Sequence, residues 1–153
     1  MNIWRITTAD ILPHKLSQTN GSCGECTRCL EACPSGALCR PFCTDSRKCI
    51  SYHTIENRSL EEDMATGGVP NFSGAIFGCD KCLDACPWNS ANKVGWEEFH
   101  KNYEILSGKD NKWWEELSPE EFKKMFKGTS LQRGGLQNIK ASIEWGKKEN
   151  KNG

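Results

Sequence analysis

The stretch Cys23-Gly-Glu-Cys26-Thr-Arg-Cys29-Leu-Glu-Ala-Cys33-Pro34 carries most of the information in this chain. Its spacing, Cys-x2-Cys-x2-Cys-x3-Cys-Pro, is the run that wraps a 4Fe–4S cubane. Two-residue gaps bring three successive thiolates to three corners of one cubane, and the fourth cysteine faces away toward a second cluster. A copy of the run follows. Cys26-Thr-Arg-Cys29-Leu-Glu-Ala-Cys33-Pro34 recurs as Cys79-Asp-Lys-Cys82-Leu-Asp-Ala-Cys86-Pro87, displaced by 53 residues, with six of nine positions identical. Two copies of one ligand loop in a short chain imply pseudo-symmetric halves.

The second copy is incomplete, because the position matching Cys23 is Ile76, which cannot ligate iron. Another cysteine must close the second site, and Cys49 is the best donor. The crossing rule then assigns Cys23, Cys26, Cys29 and Cys86 to one cluster and Cys33, Cys49, Cys79 and Cys82 to the other. Cys39 and Cys43, in Ala37-Leu-Cys-Arg-Pro-Phe-Cys-Thr44, are left over. Either is an alternative eighth ligand, but the preferred reading makes both small buried hydrophobes, as free cysteines often are. Two other chemistries compete. A tetrahedral zinc site on Cys23, Cys26, Cys79 and Cys82 would leave four regularly spaced cysteines unused. Disulfides need an oxidising compartment.

The remaining composition agrees with a small, cofactor-held protein. The chain has 153 residues, 37 % of them hydrophobic, and ten cysteines, with a mean hydropathy of −0.65. A core that small leaves little surplus stability without cross-links. The apo protein is therefore expected to lose order through residues 20–90, with the helices after Ser118 persisting. No run of about 20 apolar residues is present to span a bilayer. The start, Met1-Asn-Ile-Trp-Arg-Ile-Thr-Thr8, lacks the basic and apolar regions of a secretory signal. A cytoplasmic location is expected. Twenty basic and twenty acidic residues give zero formal charge, against a globally basic nucleic-acid binder. Eight thiolates and two oxidised cores would bring the holo chain to about −4.

The expected architecture is α+β, with a linker at 1–20, a small two-cluster, bacterial-ferredoxin-like domain at 21–92 and a helical region at 93–153. Asp45 can cap a short helix carrying Cys49 in its first turn. Ile50-Ser-Tyr-His-Thr-Ile55 also alternates as a strand would. Residues 66–74 are rich in breakers and read as a loop. Ser118-Pro-Glu-Glu121 is a capping box with proline at the first helical position. Phe122, Met125 and Phe126 mark one buried face before Gly128 ends that helix. Leu136, Ile139 and Ile143 give a second amphipathic helix. Trp113, Trp114 and Trp145 read as core. His14, His53 and His100 have no spacing that suggests a metal or catalytic site. Residues 123–153 carry eight basic and two acidic side chains, a tail able to contact phosphates.

With these residues in hand, the sequence resembles the epoxyqueuosine reductase family. The resemblance lies in Cys23 to Leu38, in Arg47-Lys-Cys-Ile-Ser-Tyr-His-Thr-Ile-Glu56, in Ile76-Phe-Gly-Cys-Asp-Lys-Cys-Leu-Asp-Ala-Cys-Pro-Trp-Asn89, and in the later Glu121-Phe122 to Arg133 and Gln137-Asn-Ile139. It implies an oxidoreductase of tRNA modification, in which cobalamin and two 4Fe–4S clusters reduce epoxyqueuosine to queuosine and the clusters relay electrons to cobalt. The family's cobalamin-binding domain, with its catalytic acid, precedes the first cysteine run, whereas 22 residues precede Cys23 here. The chain is thus expected to be the electron-relay portion, as a fragment or split gene product. It would need a cobalamin-binding domain or other redox partner, with tRNA met through the basic tail. The alternatives are a stand-alone two-cluster electron carrier for another oxidoreductase and the ferredoxin-like part of a reductive dehalogenase.

Overall fold

The computed structural model describes residues 22–89 and 103–149. The expected linker at 1–20, His14 and His100 lie outside the described residues. The two copies of the cysteine run fold alike. Each makes a single helical turn, α1 (Arg28–Glu31) and α3 (Lys81–Asp84), and their backbone bonds correspond at the 53-residue offset. The amides of Leu30 and Glu31 donate to Thr27 O as those of Leu83 and Asp84 donate to Asp80 O. The amides of Ala32 and Ala85 then donate to Arg28 O and Lys81 O. The sequence repeat is a structural repeat, and α1 packs against α3.

Between them a two-stranded antiparallel hairpin, β1 (Leu38–Arg40) and β2 (Cys43–Thr44), is the sheet of the described residues. Asp45 follows it and caps as expected, its carboxylate accepting from the Arg47 amide and pairing with the Arg47 guanidinium at 2.9 Å. The capped element is only a 3-10 turn, Ser46–Lys48. Cys49 therefore sits at its C-terminal end on extended backbone, not in the first turn of a helix. The segment after it is no strand. A π-helical turn spans Tyr52–Glu56, and the buried residues Ile50, His53 and Thr54 recur at helical spacing. The run is too short for periodicity to separate the two readings. Thr54 Oγ1 reaches back to Ile50 O at 2.9 Å, a bond available only to a helical backbone.

α2 (Leu60–Thr66) ends at Gly67, whose φ of +73° makes a left-handed cap. The breaker-rich loop at 66–74 contains one fully buried side chain, Phe72. The second described stretch is helical: α4 (Asn111–Glu116), α5 (Pro119–Met125), α6 (Ser130–Gly134) and α7 (Leu136–Glu149). The capping box on α5 forms as read, Ser118 Oγ accepting from the Glu121 amide while the Glu121 carboxylate accepts from the Ser118 amide. Phe122 and Phe126 are buried, but Met125 is exposed. It lies about 60° from Phe122 and about 100° from Phe126 around the helix, on the flank of the buried stripe.

α7 organises the core through two faces. Ile139 and Ile143 pack with Trp114, Leu117, Phe122, Phe126, Leu131 and Leu136, joined by Trp113, Ile76 and Phe77. Ala141 packs with Ile50, Leu60 and Phe72, joined by Trp145, Met64 and Cys79. Polar ties reinforce the docking. Asn138 donates to Asn57 O, Arg133 pairs with Glu56 at 2.6 Å, and Trp145 Nε1 donates to Pro70 O. The stretch between the cysteine runs thus contributes to both apolar clusters, on the two faces of α7.

Gly134 marks the closest approach. A Cβ there would lie 2.7 Å from Phe77 Cε2 and 3.3 Å from Thr54 O, below any normal contact. Gly134→Ala should therefore destabilise the holo protein by about 1–3 kcal/mol, as overpacking does, and lower its melting temperature by several degrees. An unchanged melt would contradict the approach. Phe77 lies two residues before Cys79, so the strain would pass to the second cysteine run.

Candidate iron–sulfur centre

Cys33, Cys49, Cys79 and Cys82 line one cavity of about 290 Å³, with Pro34, Ala37, Leu38, Thr44, Ile50 and Leu83 in its walls. The four come from three separate segments, and all are half-buried. They are the four that the crossing rule assigns to one cluster. Among the described residues no three Cys, His, Asp or Glu side chains close on a point small enough to hold a single ion. The donor set is all thiol, as four-thiolate iron–sulfur and zinc sites both require.

Local chemistry acts on two of the cavity thiols in opposite directions. Burial pushes the Cys33 thiol up, but the Leu38 amide, the Ser35 hydroxyl and the Ala37 and Ser35 amides outweigh it and hold the thiol below its ordinary value. These donors belong to the turn before β1 and to its first residue, Leu38, so the hairpin's position sets them. The Cys82 thiol is pushed up, by burial first and then by the neighbouring Cys79 and Cys33, against donation from the Cys82 and Leu83 amides. Amide donation to a cluster sulfur and its degree of solvation are the levers that set a cluster's potential.

Two hydrogen bonds tie the segment that carries Cys49 to the second repeat. In the first copy the Cys26 amide closes a local turn onto Cys23 O at 2.9 Å. In the second copy the Cys79 amide donates instead to Ser51 Oγ at 2.9 Å, and the Gly78 amide donates to Thr54 Oγ1 at 2.9 Å. The segment carrying Cys49 is thus stitched to the segment carrying Cys79. Ile76, at the place of Cys23, is packed into the apolar interior.

His53, assigned no role from sequence, belongs to this scaffold. It is 3 % exposed. With the ring proton on Nε2 it donates to Arg47 O at 2.7 Å, and Nδ1 accepts from Asn57 Nδ2 at 3.1 Å. It clamps the 3-10 turn that presents Cys49. Ser51, Thr54 and His53 were missed by sequence reasoning. The hydroxyl pair at i and i+3 was the signal on offer, and it shows only once the segment is known to be helical.

The other proposed set is more open. Cys23 and Cys26 are exposed and Cys29 and Cys86 half-buried, Cys29 lying on α1 and Cys86 directly after α3 and its cap, Ala85. The reading of Cys39 and Cys43 as buried hydrophobes is corrected: Cys39 is exposed and Cys43 half-buried. They occupy the hairpin, whose strands are too short to cover either face, and neither lines the cavity.

Comparison with known proteins agrees with this geometry. Residues 22–89 match the family described as the 4Fe-4S double cluster binding domain. The chain is 40 % identical over 122 residues to the epoxyqueuosine reductase of Leadbetterella byssophila, covering 79 % of this chain and 38 % of that protein. It is 58 % identical over 67 residues to the epoxyqueuosine reductase of Synechocystis sp., covering 44 % and 22 %. Among solved structures it resembles an epoxyqueuosine reductase crystallised with an epoxyqueuosine-modified tRNA-Tyr stem loop, with a TM-score of 0.67, 30 % identity, and coverage of 82 % of this chain and 32 % of that one. An epoxyqueuosine reductase from Bacillus subtilis gives a TM-score of 0.59 at 27 % identity, covering 82 % and 33 %. No helix of the described residues is long and apolar enough to cross a membrane. On sequence and structure alike the chain is similar to the epoxyqueuosine reductases, spanning about two fifths of the length of curated proteins such as those from Cellulophaga algicola and Leadbetterella byssophila.

Proposed function

We propose that the chain is the electron-relay portion of an epoxyqueuosine reductase, holding two 4Fe–4S clusters in a bacterial-ferredoxin-like arrangement and serving the cobalamin-dependent reduction of epoxyqueuosine to queuosine in tRNA. Cys23, Cys26, Cys29 and Cys86 hold one cluster, and Cys33, Cys49, Cys79 and Cys82 hold the other. The observation that carries this reading is the shared cavity of the second set, drawn from three segments. When bound, such clusters supply reversible one-electron transfer. The chain's own residues ligate, fix the ligand loops through Ser51, Thr54 and His53, and set the polarity around Cys33 and Cys82.

The partners follow from the same reading. Cobalamin, the catalytic acid and the nucleotide pocket belong to a cobalamin-binding domain outside these residues. Phosphate contacts fall to the exposed Lys123, Lys124, Lys127 and Lys148. Arg133, Lys140 and Lys147 are committed internally, to Glu56, to the Glu115 and Leu117 carbonyls, and to the Glu115 carboxylate.

Anaerobically reconstituted protein should contain about eight irons and eight sulfides per chain, and should accept electrons from a low-potential donor. It should convert epoxyqueuosine in a tRNA stem loop only when a cobalamin-binding domain and cobalamin are added. One zinc with no iron would overturn the cluster assignment. Turnover without cobalamin would overturn the relay reading. Full clusters with efficient electron transfer to an unrelated reductase, and no turnover with the added domain, would make the chain a stand-alone carrier.

A further inference from the structure

We propose that Cys39 and Cys43 form a redox-active dithiol, a thiol–disulfide exchange site on the hairpin that takes low-molecular-weight disulfides as its oxidant. The two sulfurs lie 3.3 Å apart, the Cys39 thiol directed at Cys43 Sγ. The strand register explains how residues four apart in sequence meet. Leu38 pairs with Thr44 and Arg40 with Cys43, leaving Cys39 as the extra residue of a bulge. Two residues then oppose one, and alternation no longer sends the Cys39 side chain to the opposite face from Cys43. Closing the bond, at about 2.05 Å, needs the sulfurs to approach by little more than 1 Å, within reach of side-chain rotation.

Two further features point the same way. The pair is accessible, with Cys39 exposed. The turn between them, Arg40-Pro-Phe-Cys43, puts Phe42 at a φ of +62° with 94 % of its surface exposed. A bulky residue in the left-handed region is strained and persists only where its surroundings hold it. Strands of three and two residues hold it weakly. A cross-link between Cys39 and Cys43 encloses that turn and supplies the constraint. The hairpin also provides Leu38 and Thr44 to the wall of the cysteine cavity, so its rigidity bears on the cluster region.

The exchange balances without a further reactant. One cysteine thiolate attacks a sulfur of the small disulfide, expelling one thiolate and forming a mixed disulfide. The second cysteine attacks the protein-side sulfur, expels the other thiolate and forms the Cys39–Cys43 bond. The two thiol protons finish on the two released thiols. The protein loses two electrons and the small disulfide gains them.

The test uses the reconstituted holo protein, treated anaerobically with oxidised glutathione and then alkylated, with intact-mass and peptide mapping. The expected product is about 2 Da lighter before alkylation, takes two fewer alkyl groups than the reduced protein, is free of glutathione, linked Cys39 to Cys43, and restored by dithiothreitol, as a reversible two-electron couple requires. Cys39→Ser and Cys43→Ser should each retain one glutathione adduct at the surviving cysteine. Two stable adducts on the wild-type protein would overturn the proposal, as would unmodified thiols after prolonged treatment. A bond mapped to any of the other eight cysteines would instead count against the cluster reading, so the two failures are distinguishable.

Discussion

Cys49→Ala should cut the iron of the reconstituted protein from about eight atoms per chain to about four, because a 4Fe–4S centre lacking one of its four thiolates is not held. Cys39→Ala and Cys43→Ala should leave it at about eight. The contrast rests on position. Cys49 lines the cavity with Cys33, Cys79 and Cys82, and the two hairpin cysteines do not. The backbone route into the cavity is also fixed, by His53 on Arg47 O and by Ser51 on the Cys79 amide. Iron and acid-labile sulfide per chain, determined after anaerobic reconstitution, decide the matter. Halved iron in Cys39→Ala or Cys43→Ala, with full iron in Cys49→Ala, would show that the eighth ligand lies on the hairpin.

The parts of this protein that were readable from sequence are those whose geometry is local. A ligand loop closes over a few residues, so spacing alone announces it, and the repeat of Cys26–Pro34 at Cys79–Pro87 reappears bond for bond in α1 and α3. The capping box at Ser118 is local in the same sense. Readings failed where a distant partner decides the outcome. Ile50 to Ile55 alternates as a strand would, yet the segment is helical and packs against α6 and α7. Cys39 and Cys43 carry the composition of core residues, but on strands of three and two residues Cys39 is exposed and Cys43 half-buried. Cys49 as the donor to Cys79's site was inferred from ligand arithmetic. The Ser51 and Thr54 stitching that supports it is a long-range feature which no spacing rule encodes.

Removing the clusters should free the ligand loops and leave the helical core standing, a narrower loss than the sequence suggested. The apolar interior is unevenly placed. From 22 to 49 the buried residue is Ala37, and from 79 to 89 no residue is buried. These loops have almost no hydrophobic burial to offset the entropy of ordering about 1–2 kcal/mol per residue, so cluster binding supplies their folding free energy. The intervening stretch differs. Ile50, Leu60 and Phe72 are buried against Ala141 and Trp145, and Ile76 and Phe77 join the cluster around Ile139 and Ile143. That burial involves no iron. Hydrogen exchange on chelated and holo protein should therefore show amides of 22–49 and 79–89 exchanging near unfolded rates without clusters. Amides of 136–149, and of 52–57 packed against α6 and α7, should change only a few-fold, as expected of a cooperative unit that opens separately. The Cys79 amide reports on the join. Its bond to Ser51 Oγ is the last one anchored to the core, so its protection should fall between the two classes. Uniform loss of protection through α7 would mean that the clusters and the helices fold as one unit, and that the core around Phe72 and Ile139 is too small to stand alone.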